Sequence, residues 1–341
     1  MIILTEGHSN THTAKTACSV IRYRSDAVIA VLDSTRQGMT TDDLLGVGGD
    51  TPVVGSLADA VDANTLLIGI APPGGKIPPE WRAVVLEAIQ RGMNVVSGLH
   101  DFVSDDPEFA AAAEQHGVTL TDVRKNSEKT IARRVGLNED CLRILTVGHD
   151  CSVGKMVTSI EIVNALQDRG CDAKFIATGQ TGIMVAGEGI PIDCVVADFV
   201  SGACEKMILE NQQHEILVVE GQGSLVHPSY SGVTLSLLHG SLPHGLVLCC
   251  EVGRETVTGI DHLPIPPLRQ IKDMNELMAG IVFPCPVIGI SVNSSKVPVQ
   301  DAEAECERLR QEFGLPVCDV FRHGPDALVA AVLALQEERN E

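Results

Sequence analysis

The chain has 341 residues, 44% of them hydrophobic, and carries 45 acidic against 25 basic side chains for a formal net charge of −20. The length allows two ordinary domains with sizeable cores, while the charge argues against nucleic acid and anionic membrane as partners, since both need a basic surface; an anionic small-molecule substrate needs only a local positive pocket. One Trp, two Tyr and seven Phe offer no stacking platform for bases, and eleven cysteines without a C-x-x-C pair, behind a start ("MIILTEG") that is no signal peptide, read as reduced thiols of a cytoplasmic protein with no membrane segment.

In chain order, "MIILTEG", "DAVIAVLDS" (26–34), "TLLIGIA" (65–71) and "NVVSGLH" (94–100) are apolar runs of strand length. Between them "HTAKTACSVIRY" (12–23), "SLADAVD" (56–62), "PPEWRAVVLEAIQRG" (78–92) and "DPEFAAAAEQHG" (106–117) read as helices, with Pro78 and Pro79 suited to a first turn and Gly92 and Gly117 to helix ends. The polar stretch from Asp122 to Asp140 is the natural connection. A second series follows: strands at "LRILTVG" (142–148), "DAKFIATGQTG" (172–182), "CVVADF" (194–199), "EILVVEGQGS" (215–224), "GLVLCCEVG" (245–253) and "CPVIGISVN" (285–293), and helices over 155–170, 201–211, 268–280 and 301–313. Strands alternating with helices give the fold class: α/β, with two doubly wound parallel-sheet domains. The expected division is 1–125, a connecting segment 126–141, and 142–341. In such sheets ligands sit at the carboxyl ends of the strands.

The loop after the first strand of the second series, "GHDCSVGKMVT" (148–158), has a glycine at each end and Lys155 at a helix start. Backbone N–H groups and the helix dipole converge there with a full positive charge, which makes a phosphate cradle. Two features depart from a nucleotide hydrolase. Five residues, not four, separate Gly148 from Gly154, and Met156 stands where a Ser or Thr normally holds Mg²⁺. A thioether does not replace a hydroxyl on a hard cation, and Thr158 and Ser159 lie two and three residues further along the helix. The loop is therefore expected to hold phosphates without cleaving them, as coenzyme A would require. "EGHSNTHTAK" (6–15) has one glycine where a dinucleotide fold carries three, which disfavours NAD.

The five-residue gap resembles the loop of dethiobiotin synthetase and its relatives, and "VVEGQGS" (218–224) resembles their Val-Glu-Gly-Ala-Gly segment, whose glutamate lies near the metal; here it is Glu220. "ATGQTG" (177–182) is similar to the small-residue segment that faces the phosphates, which puts Gln180 and Thr181 among the substrate-binding candidates. Longer strings point further. "RYRSDAVIAVLDS" (22–34), "LLIGIAPPGGKIPPEW" (66–81), "VVSGLHDFVSDDPE" (95–108), "DVRK" (122–125), "VGHDCSVGKMVT" (147–158), "FIATGQTGIMVAGEGIPIDCVVADFVSGACE" (175–205) and "VVEGQGSLVHPSYSGVTLSLLHGS" (218–241) resemble the D-glutamate N-acetyltransferases, a family first described as a domain of unknown function. That resemblance implies an N-terminal Rossmann-like domain, a C-terminal P-loop domain, and transfer of an acetyl group from acetyl-CoA to the amino group of D-glutamate. It also makes Met156 a family trait. His149 stands where Thr is common, with no expected effect on a backbone cradle.

Acetyl transfer to an amine needs a base, donors for the thioester oxygen, phosphate anchors and cations for substrate carboxylates. The cofactor-binding set is Gly148, Asp150, Cys151, Ser152, Val153, Gly154, Lys155, Met156 and Thr158. Glu220 and His227 are the candidate bases, against a loop-anchoring carboxylate and an exposed turn residue as their plain structural roles. Arg254 is the candidate carboxylate fork, or else an ion-pair partner of Glu251 or Glu255. His100 ends an N-terminal strand and joins the substrate-binding candidates; "PPGGK" (72–76) is a second anion nest or a Pro-capped helix start. No metal is assigned: Asp150 either holds one or fixes the loop through backbone hydrogen bonds. The alternative reading is an ATP-dependent ligase or kinase of the dethiobiotin-synthetase type using ATP and Mg²⁺, from which Met156 separates this chain. A homo-oligomer is expected of a metabolic enzyme with so many apolar loop residues.

Overall fold

The computed structural model describes residues 1–11, 13–70 and 72–341, and the backbone alone of Pro73. His12, at the head of the expected first helix, and Ala71, at the end of the expected third strand, lie outside the described residues. The chain divides into two units: Met1–Asn126 with Ile183–Pro191, and Ser127–Gly182 with Ile192–Glu341.

The first unit runs β1 (Ile2–Leu4), α1 (Lys15–Tyr23), β2 (Ala30–Leu32), α2 (Thr41–Leu45), β3 (Val53–Val54), β4 (Thr65–Ile68), α3 (Arg82–Gln90), β5 (Asn94–Ser97), α4 (Pro107–His116) and β6 (Leu120–Asp122). The sheet order is β3-β2-β1-β4-β5-β6 and every pairing is parallel. This is the Rossmann order, with its reversal between β1 and β4. Alternate residues of a strand face opposite sides. Ile2 and Leu4 pack with Trp81, Val85, Ile89 and Phe109 on one side of the sheet. Ile3 packs with Ala17, Val20 and Ile21 on the other. Strands buried on both faces read as continuous apolar runs, which is why these were visible in the sequence.

The second unit runs β7 (Leu142–Gly148), α5 (Lys155–Asp168), β8 (Ala173–Ile176), α6 (Gln180–Ala186, whose last residues group with the first unit), α7 (Val200–Asn211), β9 (Ile216–Val219), α8 (Ser231–Ser241), β10 (Gly245–Glu251), a hairpin of β11 (Thr256–Val257) and β12 (Ile260–Pro264), α9 (Leu268–Ala279), β13 (Val287–Asn293), α10 (Val299–Phe313), β14 (Val317–Cys318) and α11 (Asp326–Asn340). Its main sheet, β14-β13-β10-β7-β9-β8, is again all parallel. The core joins Leu142, Ile144, Ile216, Val218 and Val247 to Ile162, Val163 and Leu166 of α5 and to Leu328, Val329 and Val332 of α11. No helix among the described residues is long and apolar enough to cross a membrane.

Several expectations need correction. "CVVADF" is not a strand but passes through two 3-10 turns, Ile192–Cys194 and Ala197–Phe199, with Val196 exposed. A short apolar run carries no period that separates strand from turn, and here Pro191 precedes it and a helix follows. "SLADAVD" is a single 3-10 turn, Leu57–Asp59, closed by a Ser56–Asp59 capping box. The connecting segment belongs to the second unit: the backbone N–H groups of Arg133 and Arg134 both donate to the Glu205 carboxylate at 2.8 Å. Segment Ile183–Pro191 groups with the first unit, where Met184 packs near Val20 and Arg24 Nη1 donates to Val185 O at 3.3 Å. Helix α8 was not expected, because Ser, Gly, Thr and Val are modest helix formers; its buried Thr234, Leu237 and Leu238 supply the helical face.

Helix α8 meets α7 through Gly240. A Cβ there would lie 2.4 Å from Ser201 O and 2.7 Å from Cys204 Cβ, so backbone rather than a flexible side chain would have to move. Gly240→Ala gains helix propensity yet should still lose about 1–3 kcal/mol through overpacking. Urea unfolding of the two proteins compares them; an unchanged midpoint would mean that the helices can slide apart.

Candidate active site

Strand β7 lies at the centre of its sheet, between β9 and β10. Its carboxyl end opens into the loop, and the tips of β9 and β10 flank it. Within the loop Ser152 has φ 56° and Gly154 has φ 103°. Such left-handed steps curl successive N–H groups towards one point, and Gly154 adopts its φ without a Cβ penalty. Helix α5 then begins at Lys155. The Lys155 side chain is buried, with 6% of the residue exposed. Its Nζ donates to Asp150 O at 2.9 Å, its one hydrogen bond among the described residues. Burial pushes the pKa of this ammonium down. Two of its three donors therefore point into the loop without a protein acceptor, which is the arrangement an anion completes.

The loop is fastened by charge. Asp150 Oδ2 accepts from Thr258 N at 2.8 Å, Thr258 Oγ1 at 2.6 Å and Arg254 Nη1 at 2.9 Å. Burial works against the ionised carboxyl, but these bonds hold it below the ordinary carboxylate range. Arg254 also donates to Cys151 O at 2.6 Å, to Thr258 Oγ1 at 2.8 Å and with both Nε and Nη2 to Glu251; Lys296 Nζ reaches Glu251 Oε1 at 2.8 Å. Of the two roles expected for Arg254, the structure shows the ion pair with Glu251, and the half-buried fork is spent on Glu251, Asp150 and the loop backbone. His149 departs from expectation. Its Nε2 accepts from Glu251 N at 3.1 Å, tying the loop to the β10 tip, and burial followed by the nearby Arg254 charge lowers its pKa to about 4.

On the other flank, Glu220 is buried and its Oε2 accepts from Thr178 N at 2.9 Å and Gly179 N at 3.1 Å, while Gln222 Nε2 donates to Oε1 at 2.9 Å. It thus caps the turn that leads into α6, where Gln180 and Thr181 form the first residues. Burial outweighs these bonds and pushes the Glu220 carboxyl up to about 7. Gly221 N donates to Thr146 Oγ1 at 2.9 Å, and a Cβ at Gly221 would stand 3.1 Å from Lys155 Cδ, so this segment lies against the loop. His227 is buried, not an exposed turn residue: its Nε2 meets Thr258 O at 3.1 Å and its Nδ1 accepts from Ser229 N at 3.2 Å. Its ring lies with Asp150 and Cys151, the ligating atoms of the three within 4.8 Å of one another.

Mg²⁺ of the nucleotide-hydrolase kind does not fit. Met156 is half-buried at the ligand position, Thr158 Oγ1 is turned into the sheet against Ser291 Oγ at 2.7 Å, and Ser159 Oγ bonds Lys155 O at 3.0 Å and Thr146 Oγ1 at 3.0 Å. His100 belongs to the first unit, exposed at the end of β5, its N–H on Gly75 O at 2.8 Å. Sequence reasoning named Glu251 as a partner of Arg254 but missed Thr258 and Gln222. Thr258 had a signal: a two-residue Thr-Gly step between β-branched Val257 and Ile260 fits a hairpin turn.

Glu220 makes stability depend on pH. Its folded pKa of about 7 lies above its ordinary value of 4.5. Between those values the folded state holds a proton that the unfolded chain has lost, so stability falls as pH rises through that window. Glu220→Gln removes the effect, while the depressed His149 is common to both proteins and cancels in the comparison. From about pH 5 to about pH 8 wild type should lose about 2.5 kcal/mol relative to the variant. Denaturant unfolding across that range measures the difference; parallel curves would mean that Glu220 is ionised throughout.

Comparison with known proteins agrees with this architecture. Residues 34–126 match the family profile of the DUF1611 N-terminal region, described as a Rossmann-like domain, and residues 125–329 match that of the C-terminal region, described as a P-loop domain. A D-glutamate N-acetyltransferase of Pseudoalteromonas is 41% identical over 293 residues, 84% of this chain and 88% of that one. A D-glutamate N-acetyltransferase of Tritonibacter scottomollicae is 42% identical over 280 residues, 82% and 84% of the respective chains. The crystal structure of a DUF1611 family protein from Anabaena variabilis superposes with a TM-score of 0.92 at 37% identity, covering 98% of both chains. With both halves matched in order and similarity running the length of the chain, the protein belongs to the DUF1611 family.

Proposed function

We propose that the protein is an N-acetyltransferase that moves the acetyl group of acetyl-CoA to the amino group of D-glutamate. The acceptor rests on the two acetyltransferases that share about two-fifths of its residues. The donor rests on one observation: a buried Lys155 with a single protein acceptor, in a loop whose metal position is a thioether. That loop suits phosphates that are held and not cleaved. In the transfer the amine nitrogen attacks the thioester carbonyl carbon, the C–N bond forms, the C–S bond breaks, the ammonium proton passes to a base and coenzyme A leaves as the thiol.

The same reading revises the role of the two candidate bases. With the diphosphate at Lys155, the pantetheine arm carries the thioester well away from the loop. Glu220 and His227 stand against the loop itself, so they shape the anion site, and the proton is taken elsewhere. The loop N–H groups and Lys155 then contribute ground-state binding of the donor, which is uniform binding and acts on KM.

Thiol release from acetyl-CoA against a panel of D- and L-amino acids tests the reading; D-glutamate should give turnover and L-glutamate none. Lys155→Ala should cost about 1.5–3 kcal/mol of donor binding, the range for hydrogen bonds to a charged group, which raises the KM of acetyl-CoA about 10- to 150-fold and leaves kcat and the KM of the amino acid nearly unchanged. A rise in the KM of the amino acid instead would move the acceptor carboxylate into the loop and return Glu220 and His227 to the chemistry.

A further inference from the structure

We propose that Asp150, Cys151 and His227 form a binding site for a divalent cation of the zinc class, with a coordination position left open. The donor atoms come from two chain segments, the loop after β7 and the loop after β9, and lie within 4.8 Å of one another. The second observation is independent of that grouping. Asp150 is fully buried, its Oδ2 carries three hydrogen bonds, and its Oδ1 has none. A buried carboxylate oxygen without a donor lacks a partner that water or a cation would supply.

The chemistry of the set selects the ion. One carboxylate oxygen, one thiolate sulfur and one imidazole nitrogen suit zinc and its neighbours, and three protein ligands leave a position open in a tetrahedron. Magnesium wants oxygen alone. The loop thus lacks a hard-metal ligand at Met156 and carries one softer donor, Cys151, upstream of Lys155. Charge is consistent as well. Carboxylate and thiolate together match the charge of a divalent ion, while Arg254 is shared between Asp150 at 2.9 Å and Glu251 at 2.7 Å.

The ligands are also oriented from behind, as metal ligands are. Thr258 fixes the Asp150 carboxylate through its N–H at 2.8 Å and faces His227 Nε2 with its carbonyl at 3.1 Å. The two ring nitrogens are held by the Thr258 carbonyl and by the Ser229 N–H at 3.2 Å, and the one that turns to the ion exchanges that partner for it. The ion's open position receives water or an oxygen of the anion held at Lys155. The site is defined by protein ligands alone, so it stands or falls independently of the acyl donor.

Cobalt(II) added to the chelator-treated full-length protein is the probe. Wild type should bind one equivalent and develop both the visible bands of tetrahedral cobalt and a thiolate-to-metal band in the near ultraviolet. Cys151→Ser should abolish the thiolate band, His227→Ala should weaken binding about tenfold or more, since even outer-shell substitutions cost that much, and Cys171→Ser should change neither. One measurement needs no variant: zinc ion should slow alkylation of Cys151 in the native protein, read by peptide mass mapping. A wild type without the thiolate band, a band that survives Cys151→Ser, or Cys151 alkylation indifferent to zinc would each overturn the proposal.

Discussion

A lysine ammonium buried beside one carbonyl oxygen is the constraint from which the second unit is best understood. Taking a cation out of water costs several kcal/mol unless charge and hydrogen bonds repay it. Lys155 has one acceptor, Asp150 O, where its three donors call for more. The curled backbone at Ser152 and Gly154 adds N–H donors rather than acceptors there, and the Asp150 charge, already engaged by Arg254 and Thr258, offsets only part of the cost. Under the proposed function an anion completes the arrangement, and the residues around the loop fix its shape. The net charge of −20 does not oppose this, because a ligand in a buried nest responds to local donors more than to distant, screened surface charge.

Fixing the shape of the loop is the work of the residues on either side. Sheet order sets β9 and β10 beside β7, so whatever ends those strands borders the loop. From β10 come Glu251 and Arg254, and from the hairpin after it Thr258; together they clamp Asp150 and Cys151. From β9 comes Glu220, which holds the turn ahead of α6. The charged side chains that flank the loop are therefore engaged with the protein, and Lys155, buried inside it, has one acceptor among the described residues. A motif read in isolation assigns each charged residue a ligand; the packed structure shows that most of them hold one another.

This is also why part of the site was legible in the sequence and part was not. The loop announces itself because its requirements are local: an apolar strand, a glycine at each end, a lysine at a helix start. Both parallel sheets announce themselves because strands covered on both faces are continuous apolar runs. Arg254 and His149 could not be read in the same way. Whether a guanidinium meets a substrate or Asp150 depends on a partner 104 residues away in the chain, and the use of His149 depends on the backbone of Glu251, 102 residues away. Long-range pairing has no signature in spacing. Helix α8 was hidden for a different reason: its composition is poor in helix formers and its stability comes from the face packed near α7, where Gly240 permits the approach.

The position after Lys155 shows how one fold hosts different chemistry. In a nucleotide hydrolase the hydroxyl there serves a metal that polarises the bond to be cut. Here Met156 withdraws the ligand, and the hydroxyls one turn on are committed elsewhere, Thr158 to Ser291 and Ser159 to Lys155 O and Thr146. Restoring catalysis at the phosphates would need more than one exchanged side chain, because those two hydroxyls help join α5 to β13 and β7. The loop can keep its grip while losing its scissors, since the grip resides in backbone N–H groups and Lys155, and the cutting resides in side chains around a metal. That separability is the physical reason a phosphate cradle can outlast the loss of its metal ligand.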